Sequence, residues 1–370
     1  MKIHLSWQHL PLVIFILLGS CSEASPTKPA PKVVHPGWRI AEIGMTRADH
    51  DSAGIAEVVV AGDWILAATN KGVLFAGQEG HGWTRVSLPD SSPASALFAW
   101  NGTVYVGSRF NGKLFAYTPA TDKWKDLRTE SSVPNASKQT KVQRISAWRG
   151  NLYVSFRTVG DTFGMGLRSD ASLATWSPML QGLPPYEIPI AFLDLDSVLL
   201  AATYEKGIYQ WKLGDSTWTK AVNPQWQPPN SGSTQKPPMK DNPFPRSFAR
   251  IGGKIWAGYY VDGLQFRNIA DSTWQAFLPD SFASKVPRDI FSMLTWRGRL
   301  FAAGRYHSVP LMHDPTTGSW KTTDVNFCYD IYHEKSVCDY YTTWSMAATS
   351  DTLYAASGGV LLKIGWPDLP

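Results

Sequence analysis

Short apolar segments of strand length, each introduced by turn residues, recur along most of the chain. They read Trp64-Ile65-Leu66-Ala67-Ala68-Thr69, Thr103-Val104-Tyr105-Val106-Gly107-Ser108, Asn151-Leu152-Tyr153-Val154-Ser155 and Val198-Leu199-Leu200-Ala201-Ala202-Thr203. Lys254-Ile255-Trp256-Ala257-Gly258-Tyr259, Arg299-Leu300-Phe301-Ala302-Ala303-Gly304 and Thr352-Leu353-Tyr354-Ala355-Ala356-Ser357 complete the set of seven. None is long enough or periodic enough for a helix, and each is bounded by residues that favour tight turns. Asn101-Gly102, Arg149-Gly150, Gly252-Gly253 and Arg297-Gly298 precede four of them as hairpin signals. One small residue recurs at an equivalent place, namely Ala68, Gly107, Ser155, Ala202, Gly258, Ala303 and Ala356. A small residue at a repeated position marks close packing between neighbouring sheets.

Each segment is followed by a second short apolar strand, a polar turn and a Trp. Examples of the last two are Thr121-Asp122-Lys123-Trp124, Asp215-Ser216-Thr217-Trp218, Asp271-Ser272-Thr273-Trp274 and Thr317-Gly318-Ser319-Trp320. Every repeat thus holds four strands, a to d from the inside outward, with a repeat length on the order of 40–55 residues that belongs to propeller blades. The last repeat stops at Val360-Leu361-Leu362-Lys363-Ile364 without a d strand, and Pro36-Gly37-Trp38-Arg39-Ile40 supplies one from the other end. The expectation is an all-β, seven-bladed β-propeller of four-stranded blades, closed by an N-terminal strand that completes the last blade. Closure of that kind removes an open sheet edge.

The repeat tails carry weak family likenesses. Asp215-Ser216-Thr217-Trp218 and the stretch from Ser169 to Trp176 resemble degenerate Asp-box repeats of bacterial neuraminidases. Tyr117 to Trp124 and His313 to Trp320 resemble kelch tails. The Asp-box glycines, the kelch double glycine and the Arg-Ile-Pro opening that accompanies sialidase Asp-boxes are absent, so the likeness implies fold and not activity.

Ahead of the repeats, Met1 to His9 precedes the apolar run Leu10–Leu18, which is too short to span a bilayer and suits a signal-peptide core. Leu18-Gly19-Ser20-Cys21 resembles the lipobox of bacterial lipoproteins. That resemblance implies a signal peptide over residues 1–20 and a lipidated Cys21, with Ser22 in the next position favouring the outer membrane. A Pro-rich tether over 21–35 and a single propeller domain over 36–370 follow. The implied location is the bacterial cell envelope, and the implied partner is the membrane, through a palmitate-bearing lipid anchor. Cys328 and Cys338 form the remaining pair, and an exported chain is expected to bridge them.

Composition agrees with this reading. Of 370 residues, 44% are hydrophobic and 18% charged, which supports a large core. The net charge of +5 is too small for a dedicated nucleic-acid binder. No phosphate loop, nucleophile elbow, HExxH or multi-Cys pattern occurs, so no cofactor, metal or catalytic residue is assigned.

Strand alternation places the d–a and b–c connections on one face. The long insertions near 128–142, 222–246, 279–289 and 324–343 are all of the d–a kind. Two residues past the shared small position stand Arg109, Arg157, Tyr204, Tyr260 and Arg305, at the corners around the channel mouth, with Tyr306 and His307 beside the last. Arg forks there suit a carboxylate, sulfate or phosphate. The expected function is a non-catalytic binding or assembly module for a glycan or protein on this face. The alternative is a glycan-active enzyme at the channel mouth, sialidase-like or a polysaccharide lyase. Glu205, Asp289, Tyr306, His307 and Asp330 would be its acid–base candidates.

If Cys21 is the lipidation site, cells fed radiolabelled palmitate label the wild-type chain and not a Cys21→Ala variant. Equal labelling of both overturns the assignment.

Overall fold

The structure is a computed structural model that describes residues 37–45, 54–132, 140–158, 164–185, 187–221, 244–260, 263–271, 274–277, 289–305, 307–323, 342–357 and 359–369. All lie in the compact unit Val33–Pro370. Cys21, the leader and tether, Cys328, Cys338, Tyr306 and Asp330 fall outside the described residues. So does the side chain of His307, which opens a strand.

Among the described residues, twenty-eight strands form seven four-stranded antiparallel sheets. Blades 1 to 6 each run a-b-c-d in chain order. The inner a strands of blades 1 to 7 are Ile55–Ala61, Ala94–Trp100, Thr140–Trp148, Pro189–Asp194, Pro245–Ile251, Ile290–Trp296 and Thr343–Ala348. Each packs against the next, and blade 7 packs back on blade 1, which closes the ring. In blade 7 the outer strand is Arg39–Ile40, paired antiparallel to Val360–Gly365 with Arg39 opposite Lys363 and Ile40 opposite Leu362. The Ala41 N–H donates to the Leu361 carbonyl at 2.8 Å and extends the join. The expected closure is therefore present.

The a–b turns have the geometry their residues predict. Asn101-Gly102, Arg149-Gly150, Gly252-Gly253 and Arg297-Gly298 all hold positive φ at both positions, as the twist of a two-residue hairpin demands. In blades 3 and 6 the turn is preceded by Trp, and the Trp-Arg-Gly triplet clasps the following blade. Trp148 Nε1 and Arg149 Nε both donate to the Asp196 carbonyl, at 3.2 and 2.8 Å. Trp296 Nε1 donates to the Thr349 carbonyl at 2.8 Å, and Arg297 Nε to that of Ser350 at 2.5 Å.

Burial is divided among seven apolar clusters, one at each blade–blade interface. The shared small position lies at these interfaces. A Cβ on Gly107 would come within 2.4 Å of Val142 Cβ on the next blade, and one on Gly258 within 2.4 Å of Ile290 Cγ2. Ser155 uses the same site to donate from Oγ to the Pro189 carbonyl of blade 4 at 2.7 Å. Two Trp residues at the outer strands, one inside and one just before, reach backward: Trp176 Nε1 donates to the Leu127 carbonyl and Trp218 Nε1 to that of Met179, at 3.0 and 2.6 Å. Trp38, Trp218 and Trp274 stand just before their d strands rather than inside them.

Trp38 is 1% exposed in the cluster between blades 6 and 7, so the N-terminal strand is held by an anchor as well as by its ladder. Trp38→Ala should cost about 3–5 kcal/mol, the range for a large aromatic removed from a core. Urea denaturation reads this directly, and a loss below about 1 kcal/mol would show that the ring closes without that strand.

Candidate functional site

Every a–b ladder carries a one-residue irregularity near its a-strand start, in blade 3 after three paired residues. The register skips Ala56, Ser95, Gln143, Ile190, Arg246, Phe291 and Trp344 in blades 1 to 7. These are bulges at equivalent positions, and they fall at the end of the ring where the d–a and b–c connections emerge. A bulge adds one unpaired residue and re-aims its side chain. At the mouth, b–c corner residues stand near some of these bulge residues, whereas Ile190 is buried in the core between blades 4 and 5.

On blades 2 and 3 the mouth is cationic. Arg109 is exposed; its guanidinium donates to the Asn70 carbonyl at 2.6 Å and its backbone N–H to that of Pro93 at 2.7 Å. Lys141 lies directly across the ladder from Arg157. Burial, then the charges of Arg157 and Arg109, push the Lys141 ammonium below its ordinary value, so the three cations share one electrostatic environment. Among the described residues none of the three has a carboxylate partner. Like charges set opposite each other in a ladder, as Lys141 and Arg157 are, are destabilising.

Blades 4 to 7 present aromatic rings. The Arg157 guanidinium carbon lies 5.1 Å from the Tyr204 ring centre, joining the two halves. Arg246 stands over Tyr204, Phe244 and Tyr260 at 5.1, 5.9 and 5.6 Å. From ring to ring, Tyr204–Phe244 and Phe244–Tyr260 are 6.2 Å, Tyr260–Phe291 6.3 Å and Phe291–Trp344 4.8 Å. Trp344, half exposed, ends the arc.

Of the corner residues expected from sequence, the structure brings Arg109, Arg157, Tyr204 and Tyr260 into this arrangement. Arg305 is exposed on blade 6, with its N–H donating to the Asp289 carbonyl at 3.0 Å. Lys141, Phe244, Arg246, Phe291 and Trp344 were not predicted. The acid candidates do not form a described pair: Glu205 is exposed on blade 4, its N–H donating to the buried Glu187 carboxylate at 2.9 Å, while Asp289 lies at the entrance to blade 6.

Below the bulges, the a-strand residue opposite each shared small position is Ala96, Ala191, Ser247, Ser292 or Ser345, except for Glu57 and Arg144. Those two oversized residues pair with each other, Arg144 Nη1 to Glu57 Oε1 at 3.2 Å, across the intervening blade. The other Glu57 oxygen accepts the Leu97 N–H of that blade at 3.0 Å. Burial raises the Glu57 carboxyl even so, against the opposing pull of Arg144 and Leu97. Among the described residues no group of three or more metal-ligating side chains gathers, here or elsewhere. A hollow of about 300 Å³ beside Arg299 and Asp314 lies in the outer part of blade 6, and those two residues pair with each other in it.

No family model and no curated protein matches the chain. Solved propellers do. The chain is similar to the extracellular domain of BT3049 from B. thetaiotaomicron, described as a hybrid two component system, at 14% identity and a TM-score of 0.62. It is also similar to that of BT4673 from the same organism, described as a one component system, at 12% and 0.60. The match covers 89% of this chain but only 42% and 40% of those domains, so the chain spans about two fifths of their length. YCF48 bound to D1 peptide matches at 13% identity and TM-score 0.59, over 90% of this chain and 97% of that one. At these identities the likeness shows the fold alone, in keeping with the ring of seven four-stranded sheets that makes this a seven-bladed β-propeller. Among the described residues no helix is long and apolar enough to cross a membrane.

The Glu57–Arg144 pair yields an asymmetric prediction. Arg144→Met strands a largely desolvated carboxylate and should cost about 2 kcal/mol, whereas Glu57→Gln leaves an Arg that is 39% exposed and should cost under about 1 kcal/mol. The folded chain holds the Glu57 proton more tightly than the unfolded one, so ionisation opposes folding. Melting temperature should fall as pH rises through the range above 4.5, and Glu57→Gln should remove that part of the fall. Equal losses in the two variants would contradict this account.

Proposed function

We propose that this chain is a lipid-anchored propeller of the bacterial cell envelope, acylated at Cys21 and tethered by residues 21–35. In this reading it acts as a binding module that engages an anionic group on a glycan or protein partner at the channel mouth. The observation that carries the reading is the triad Arg109, Lys141 and Arg157, to which no described residue supplies a carboxylate. A fold that only needed a spacer would relieve this repulsion with an acid, whereas a ligand supplying a carboxylate, sulfate or phosphate relieves it on binding. Arg157 and Lys141 also differ in what they offer. The guanidinium gives a planar fork and the ammonium a compact point charge, a combination suited to anions of mixed geometry. The similarity to extracellular domains of bacterial signalling proteins supports an envelope location, and YCF48 with its D1 peptide is a propeller of the same class in a complex.

The test is the variant carrying Arg109→Gln, Lys141→Gln and Arg157→Gln. Removing each charge-assisted hydrogen bond should weaken anion binding by about 1.5–3 kcal/mol, at least about a thousandfold in total. The melting temperature should stay level or rise, because the substitutions remove repulsion. A lower melting temperature with unchanged affinity for the wild-type ligand would mean the triad is structural.

A further inference from the structure

We propose that the mouth is a recognition groove for an acidic polysaccharide, whose sugar rings lie along the aromatic arc of blades 4 to 7 while its anionic groups meet the cations of blades 2 and 3. This deepens the binding reading above and rests on it.

Three observations select this ligand. First, the two halves are continuous, since Arg157 reaches Tyr204 and the rings run on from there to Trp344. A ligand that fills both must repeat an apolar face along its length and carry negative charge. A pyranose chain does so, because its axial C–H groups form faces that stack on aromatic rings while its hydroxyls keep their water. Second, the arc is preformed. Arg246 lies over Tyr204, Phe244 and Tyr260 and holds the inner rings, while Trp344 at 50% exposure leaves its surface open at the far end. Phe110, beside Arg109, is 41% exposed on the same face. Rigid aromatic surface of this kind binds at small entropic cost.

The third observation separates glycan from peptide. An extended peptide gains most of its affinity by adding a strand to a free, regular edge. Here the inner strand of every blade is irregular near its mouth end, where its pairing with the b strand skips a residue, so the free edge it turns to the channel is bent there and not a regular template. Orientation follows from charge as well. Glu205 is exposed beside Tyr204, so an anionic group is repelled at blade 4 and drawn toward blades 2 and 3.

Calorimetry on the full chain with four probes tests the idea: polygalacturonate oligomers (carboxylated sugar), heparin oligomers (sulfated sugar), dextran oligomers (neutral sugar) and oligoglutamate (acidic peptide). Expected is binding of one or both acidic sugars, with dextran and oligoglutamate weaker by at least about tenfold. Preference for the first or second probe tells carboxylate from sulfate. Trp344→Ala should weaken the acidic sugar about tenfold with an unchanged melting temperature, and Trp344→Phe should restore most of it. Oligoglutamate binding as tightly as the sugars, with Trp344→Ala silent and the triple Gln variant inactive, would overturn the glycan assignment and leave the anion site standing. Binding of no acidic probe, or binding unaffected by the triple Gln variant, would overturn both.

Discussion

A four-stranded blade has two apolar faces and can bury neither alone, so this structure depends on how closely one blade can approach the next. The approach is set at the shared small position of the b strands. Gly107 and Gly258 each face a β-branched residue of the next blade with no room for a methyl group, and Ser155 turns the same proximity into a hydrogen bond. Seven interfaces of this kind must close a circle. The error allowed at any one of them is therefore small, and the join between Arg39–Ile40 and the last blade is the point where accumulated misfit would appear. Trp38 fixes that point by burial, and the Trp-Arg-Gly turns of blades 3 and 6 fix the opposite face by hydrogen bonds to the next blade.

Packing that tight around the ring leaves little room for variation inside the interfaces, and the variation moves to the ends of the strands. The bulges are the device that permits it. By breaking the ladder where each inner strand begins, they release one residue per blade from the inward–outward alternation. The chain fills those seven places with Ala, Ser, Gln, Ile, Arg, Phe and Trp. Repeated geometry with unrepeated chemistry is what a recognition surface on a symmetric scaffold requires.

Much of the scaffold was legible in the sequence because its constraints repeat. Aligned small residues, hairpin dipeptides and trailing tryptophans located the blades, and counting along the b strands led to Arg109, Arg157, Tyr204 and Tyr260. The partner set did not repeat and stayed hidden. Lys141 becomes part of the triad only through its register with Arg157, which the skip at Gln143 moves by one residue from the count off the Arg149-Gly150 turn. Phe244, Arg246, Phe291 and Trp344 begin inner strands of low mutual similarity, and a bulge defeats the period-two reading that would aim their side chains. Aligning the a strands against the b strands, one residue out of step, would have found them. Glu57 and Arg144 carried a readable signal, as the two charged residues in a ring position otherwise held by Ala and Ser.

That last pair also bears on why the mouth carries its charges. Glu57 shows that this protein does supply an acid to an Arg near the channel, even where burial raises the carboxyl and makes the pairing costly. The triad at Arg109, Lys141 and Arg157 is nearer to solvent, where an acid would be cheaper to place. Desolvation therefore does not explain why no described residue supplies it a carboxylate. Repulsion kept at strand ends, off the interfaces that decide stability, costs the fold little and costs the empty site something. A stability cost confined to the one face that bears the long connections is the expected mark of a site whose counter-charge arrives from outside.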